Sequence, residues 1–505
     1  MKVLNKFILS LFVVFITLQV FGNEFMFIDE IKPGMEGYGK SVFSGTQIET
    51  FTVKILSVMD NFSPGHSIIL AELSDNPNVE EGGIISGMSG SPVYLNGRLI
   101  GAVAYSWGFS KKPIAGITPI KEMLDLKDRK IKNLPADFEF FGKLPSEDNG
   151  LRYIQTPITM TGFNRESIDD FKNEFKELGF LPVQSGGVGL QKLKLQTLVP
   201  GSPIAVQLVQ GSMSVSAIGT VTYVRGKEVY ALGHPMFNGG NVNVPMGTAY
   251  IHTTIPSFYN SFKIGSSVTT VGTFLVDSTP GTYGELGAIP KMVNASIKLN
   301  DKNFSVEIID NKYLLGSLLR TVILNIILAE TKEIGDLFIE YNIKMYSGEK
   351  ELLDYSDIMT SELIFDTVFG IGRMLRFFTF IKNNPEEEVF ISDIKIEMKS
   401  YDAFKRYTLQ NIELNKTSYF AGEDVNLKLL LKQDKKPEIT KDVSFNIPKD
   451  VKPGNYYLLI LDAIEDERQR VTESPKFSSL DNLDEINDWI EGSHSLNEVN
   501  LRLVA

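Results

Sequence analysis

Ser91 to Trp107 reads SPVYLNGRLIGAVAYSW, two apolar-rich runs hinged on Asn96-Gly97. Asn-Gly favours a type I′ hairpin turn, because both central residues need positive φ. The hairpin commits this part of the chain to antiparallel β structure, and its surroundings repeat the pattern. ETFTVKILSVM alternates, SIILAEL is a compact apolar strand, and TPIKEMLDL closes the segment with a short helix. Several short strands at such spacing suggest a small barrel or sandwich, so residues 23–126 are expected to form one β barrel. Strand signals return over 193–290, in KLKLQTLV, VSAIGTVTYV, EVYALGH and VTTVGTFLV, and predict a second. Residues 127–192 between them read as a connector, with a helix in RESIDDFKNEFKELGF.

The rest of the chain is mixed. Residues 291–385 combine strands such as VNASIKL and LFIEYNIKMY with apolar helical segments, an α+β region. From NNPEEE onward, VFISDIKIEMKS, YTLQNIELN, DVNLKLLLKQ and NYYLLILDA are separated by turns, which predicts an immunoglobulin-like sandwich over 386–470. An acidic, partly helical tail fills 471–505. The fold class expected is therefore mostly β with α+β parts.

Composition excludes several functions. A net charge of −12 with no basic cluster argues against a nucleic-acid partner. Cysteine is absent, so there is no disulfide framework, thiolate metal site or cysteine nucleophile. No HExxH or paired-histidine pattern offers zinc ligands, and no glycine loop has a nucleotide-binding context, so no metal and no cofactor are expected. At the N-terminus, Lys2 and Lys6 precede an apolar run from Phe7 to Phe21, with small residues Val20 and Gly22 before a cleavage point. This reads as a signal peptide over 1–22 and a periplasmic or extracellular protein. A retained anchor is the alternative, though the run is short for ~30 Å of hydrocarbon.

GMSGSP, residues 87–92, is the segment with chemistry in it. A serine hydroxyl needs a general base and donors for the oxyanion it creates. Glycines around Ser89 allow a tight turn that aims the amides of Gly87 and Ser89 at one spot, although a plain glycine-rich turn fits the composition too. Four histidines are available as base. His66 precedes a strand of the same β unit, His252 sits mid-strand, and His494 lies in the tail. His234, between Gly233 and Pro235 at a strand-to-loop edge, is the best placed on the residues alone, with the other three left open.

Two segments carry a resemblance. GGIISGMSGSPVYLNGRLIGAV resembles the nucleophile segment of the SpoIVB-type serine peptidases, and IGTVTYVRGKEVYALGHP resembles that family's histidine segment. The resemblance implies two small trypsin-like β barrels, here in permuted order because the serine segment comes first. It places Ser89 on the nucleophile, His234 on the base and, with a one-residue gap, Asp75 of LSDNP on the acidic partner. AYSWG is similar to the strand with which two-barrel peptidases pair their substrate, which makes Ser106, Trp107 and Gly108 substrate-binding candidates. The expected function is an exported serine endopeptidase acting on protein or peptide substrates, with cell-envelope proteins as candidate partners of the C-terminal sandwich. A peptidase-like envelope scaffold with an inactive or regulated site is the alternative.

Overall fold

The computed structural model describes residues 24–128, 150–177, 180–188, 197–331, 337–382, 389–402, 407–433 and 436–473, with 485, 488–490 and 492–504 near the C-terminus. The expected signal peptide, residues 1–22, lies outside these residues, as does most of the expected connector before residue 150. The chain divides into two units, the first ending at Lys291 and the second beginning at Met292. Strands dominate both units.

In the first unit, β1 (Glu36–Ser41), β2 (Glu49–Ser63), β3 (His66–Ser74), β4 (Pro92–Leu95), β5 (Arg98–Trp107) and β6 (Ile114–Pro119) form a closed six-stranded antiparallel barrel. The order β4-β1-β2-β3-β6-β5 closes through the β4–β5 hairpin. Its turn holds Asn96 at φ 51° and Gly97 at φ 76°, as the Asn-Gly pair requires. A further short strand, β7 (Leu151–Tyr153), adds to the outer edge of β5.

The second barrel comes next in the chain. After β8 (Thr156–Thr161) and β9 (Phe180–Ser185) lie β10 (Pro203–Gly211), β11 (Ser214–Arg225), β12 (Glu228–Ala231), β13 (Gly240–Ile255), β14 (Phe262–Ser278) and β15 (Gly281–Leu286). The order β10-β13-β14-β15-β12-β11 closes through β10–β11. β8 extends this sheet from β11, and β9 runs parallel to β8 after the helix Arg165–Glu177. That helix falls where the apolar spacing of RESIDDFKNEFKEL predicts one.

The two barrels share apolar surface. Leu99, Ala102, Ile120 and Met123 of the first pack with Tyr223, Tyr230, Val276 and Tyr283 of the second. Val42 joins Ala205, Ile218, Ala249 and Ile251 in the same way. This explains why β5 is buried on successive residues from Leu99 to Ala104 instead of alternating. One face lines its own barrel and the other meets the neighbour, so neither face has to be polar.

In the second unit, β16 (Met292–Leu299), β17 (Lys302–Ile309), β18 (Leu337–Ser347), β19 (Lys350–Ser361) and β20 (Asp393–Tyr401) make one sheet in the order β19-β18-β20-β16-β17. β16 buries alternate residues, as a sheet with one covered face does. The apolar helix Leu315–Thr331 is buried along most of its length. Among the described residues no helix is long and apolar enough to cross a membrane.

One assignment changes here. DIKIEMKSY was expected to open the C-terminal sandwich, but β20 pairs parallel to β16 and antiparallel to β18, completing the α+β sheet instead. Alternation alone does not say which sheet a strand joins. Beyond β20 the chain forms a three-stranded sheet of β21 (Thr408–Leu414), β22 (Asp424–Lys432) and β23 (Ile439–Asn446). A two-stranded sheet of β24 (Tyr457–Asp462) and β25 (Val499–Val504) shares its core, with Leu458, Ile460 and Leu501 against Val425, Leu427 and Leu429. The expected acidic tail thus supplies a strand.

Candidate active site

The loop between the helix Pro77–Gly82 and β4 carries Ser89. Asn76 caps that helix with its side chain on the Asn78 amide, and Pro77 occupies the first turn. The loop is then stitched on both sides. Ser86 N–H donates to the Ser261 carbonyl at 2.8 Å, Met88 N–H to Ile85, Gly90 N–H to Val103 and Ser91 N–H to Met88. The amides of Gly87 and Ser89 donate to nothing among the described residues. Those are the two amides expected to face an oxyanion.

β11 of the second barrel clasps the same loop. Thr220 N–H donates to the Ser89 carbonyl at 2.9 Å, the Thr220 hydroxyl to the Gly87 carbonyl at 3.0 Å, and the Thr222 hydroxyl to the Gly90 carbonyl at 2.8 Å. Contact is close enough to require glycine. A Cβ at Gly90 would fall 2.0 Å from the Thr220 carbonyl oxygen and 2.5 Å from the Leu232 nitrogen, and its φ is +94°.

His234 arrives from the other side of this clasp. β12 ends at Ala231, and Leu232 (φ 67°) and Gly233 (φ 70°) turn the chain back sharply. The Gly233 carbonyl accepts from the Thr118 hydroxyl at 2.6 Å, and a Cβ at Gly233 would touch Ala102 and Ala104 of β5. Since Gly90 bonds Val103, the serine loop and the histidine turn converge on one stretch of β5, Ala102 to Ala104. The structure therefore brings the segments that carry Ser89 and His234 to one stretch of β5, without a hydrogen bond between the Ser89 hydroxyl and the His234 ring.

The histidine is set in one tautomer. Its Nδ1–H donates to the Pro235 carbonyl at 2.8 Å, which leaves Nε2 as the lone-pair nitrogen. Nε2 and the Ser89 Oγ are both buried and both without a hydrogen-bond partner among the described residues. Native proteins seldom leave buried polar atoms unpaired, so two such atoms at one site are unusual. Burial pushes the His234 pKa down to about 4, against the raising effect of the Pro235 carbonyl. The ring is neutral at pH 7.

The remaining sequence candidates have other surroundings. Asp75 is exposed, at φ 55°, with its carboxylate accepting from the Ser74 hydroxyl at 3.2 Å. The Nδ1 position it was expected to serve is taken by Pro235. His66 is held by Glu122 at 2.6 Å and His252 by the Ser266 hydroxyl at 2.9 Å. Ser106 and Trp107 lie at the far end of β5, where the expected exposed edge is not open: β7 pairs with it, Ser106 opposite Arg152 and Trp107 opposite Leu151. Gly108 comes directly after, near the Arg152 guanidinium.

Two buried charges escaped the sequence reading. Asp277 accepts from the amides of Met236 at 2.7 Å, Phe237 at 2.6 Å and Gly239 at 3.4 Å, and so fixes the loop leaving His234. Burial raises its pKa to about 6 against those bonds. In VDSTPG it reads as a turn residue. Lys263 is fully buried behind the serine loop, its Nζ donating to Ser41 Oγ at 2.8 Å and Ser91 Oγ donating to the same oxygen at 3.0 Å. Its stem lies against Gly87, and burial lowers its pKa to about 7, with Glu49 opposing. Among the described residues no group of acidic or histidine side chains is set to hold a metal ion.

Residues 24–124 match the family model described as SpoIVB peptidase S55. The match takes in Ser89, its loop and the whole first barrel, about a fifth of the chain. Over these residues the chain is similar to the SpoIVB serine peptidases. No curated protein and no solved structure matches the chain.

Proposed function

We propose that the protein is an exported serine endopeptidase in which Ser89 is the nucleophile and His234 the general base. The observation that carries the proposal is the set of unpaired groups at one locus. Among the described residues, the hydroxyl of Ser89, Nε2 of His234 and the amides of Gly87 and Ser89 all lack partners where the barrels meet on β5. The Ser89 proton passes to Nε2 as Oγ bonds the peptide carbonyl carbon. Negative charge on the carbonyl oxygen is then held by the two amides, a stabilisation typically worth about 10²–10³-fold per donor. Collapse breaks the C–N bond while the imidazolium returns the proton to the leaving amine, and water hydrolyses the acyl-enzyme by the same steps. Export rests on the basic and apolar pattern of the first 22 residues.

A fluorophosphonate probe tests the assignment directly. Covalent labelling of the full chain is expected at Ser89, with none in Ser89→Ala and about 10³-fold less in His234→Ala. Labelling that persists in Ser89→Ala would overturn the reading.

A further inference from the structure

Peptide-bond cleavage needs solvent and substrate to reach Ser89, yet Ser89 is fully buried and His234 nearly so, at 2% exposure. Part of the cover over His234 is a segment of this chain. Leu151–Tyr153 runs antiparallel to Tyr105–Trp107, and Ile154 N–H continues the ladder to the Ala104 carbonyl at 2.9 Å. Tyr153 lays its ring over that of His234, with centroids 5.4 Å apart, and against Tyr105 at 4.8 Å. Gln155 then takes the Asn260 side-chain amide at 2.8 Å, and Asn260 in turn accepts from the Ser86 hydroxyl three residues before the nucleophile.

The direction of this segment matters. β5 runs from the serine loop, where Val103 bonds Gly90 and Ser91, out to Trp107. The segment 151–155 is antiparallel to it and so runs inward, from Trp107 toward the loop that holds Ser89. An extended peptide adding to the same edge in the same sense would bring its backbone to the nucleophile. Strand addition of this kind takes affinity from main-chain bonds and specificity from alternate side chains.

We infer that the Tyr105–Trp107 edge of β5 is the substrate seat and that the chain's own Leu151–Gln155 fills it as an internal surrogate. The inference rests on the peptidase reading and adds two things to it. The site is latent until the segment leaves. The substrate is an extended polypeptide strand with a bulky aromatic residue where Tyr153 lies between the His234 and Tyr105 rings. As a strand the occupant is short, three half-buried residues paired on one side, but Ile154 next to it is buried in the first barrel's core, so release withdraws an apolar anchor as well as a ladder. A competing peptide replaces its ladder bond for bond, so the exchange depends on relative affinity and local concentration.

The experiment uses the full chain, its Tyr153→Ala variant and a synthetic peptide of sequence LRYIQ. Fluorophosphonate should label Ser89 about tenfold faster in Tyr153→Ala than in the parent, as expected when the open fraction rises by that factor. LRYIQ should slow labelling of the variant, and LRAIQ should do so less well. Equal labelling of parent and variant, with LRYIQ without effect, overturns the inference and leaves the peptidase reading standing. No labelling of any chain sinks the peptidase reading instead. In that case amide hydrogen exchange still decides the seat: LRYIQ must protect the Tyr105–Trp107 backbone of the variant, and unchanged exchange there refutes it. The same exchange measurement, made first, shows whether the variant is folded.

Discussion

His234 donates its Nδ1–H to the carbonyl of Pro235, 2.8 Å away and next in the chain, so the imidazole is oriented by backbone and not by a carboxylate. The tautomer that a general base needs is set all the same. Asp75, exposed and paired with Ser74, has no part in it. Asp75→Asn is accordingly expected to change kcat/KM by no more than about twofold, the scale of an ordinary surface substitution. A loss of about 10³–10⁴-fold, as for a triad acid, would restore Asp75 to the mechanism.

Asp277 is expected to matter more, though it does not touch the ring. Its carboxylate gathers the amides of Met236, Phe237 and Gly239, the turn that carries Pro235 and hence the partner of Nδ1. Asp277→Ala strands those buried donors, at about 1–3 kcal/mol for each one left unsatisfied. The expected result is a lower melting temperature together with a several-fold fall in kcat. Unchanged kcat at a temperature where the variant is folded would confine Asp277 to stability.

Asp75 and Asp277 mark the limit of what was legible in the sequence. GMSGSP and GHP point to Ser89 and His234 because a tight loop and a strand-end turn leave local signatures in glycine and proline. Asn96-Gly97 marks its hairpin for the same reason. Asp277 and Lys263 act across long sequence separations, and an acid in VDSTPG looks like a turn. Lys263 did leave a trace: in FKIG it falls on the buried phase of β14, between two half-buried neighbours. β20 was lost differently, since its alternation is clear and only its choice of sheet is not. The occupied edge of β5 was invisible because AYSWG carries no sign of what pairs with it.

Gly90 and Gly97 should separate sharply under alanine substitution. Both have positive φ, but a Cβ at Gly97 meets nothing within 4 Å, whereas at Gly90 it enters the Thr220 carbonyl. Gly97→Ala is expected to cost about 1 kcal/mol, the backbone penalty alone. Gly90→Ala adds a clash with the second barrel and should exceed about 4 kcal/mol, measurable by denaturant unfolding. Similar costs at the two positions would mean that the clasp between β11 and the serine loop is loose.

Lys263 should give stability a specific pH dependence. Its folded pKa, about 7, is depressed below the ordinary 10.5 because burial disfavours the ammonium. The unfolded chain therefore binds the extra proton between these values, and stability falls as pH drops from about 10.5 toward 7. Lys263→Met keeps the apolar stem and removes the titration. The difference in unfolding free energy between parent and variant should shift in favour of the variant over that window, by several kcal/mol in order of magnitude. A difference that stays constant with pH would place the amine in contact with water.

The acid side of the profile belongs to His234. Burial holds its pKa near 4, below the ordinary 6.5, so the fold favours the neutral ring. The unfolded chain takes up a proton first, and this group's contribution to stability is full above about 6.5 and lost as pH falls toward 4. The same neutrality keeps Nε2 able to accept the Ser89 proton in mildly acidic solution. Tyr153 supplies part of the cover by lying over the ring. Removing it rehydrates the imidazole and weakens the desolvation that depresses the pKa. The pH dependence of Ser89 labelling should then show an acid limb at higher pH in Tyr153→Ala than in the parent, moving from near 4 toward the ordinary value. Coincident limbs in the two proteins would mean that the ring is dried by the barrels alone, and that Tyr153 does not control solvent access to the base.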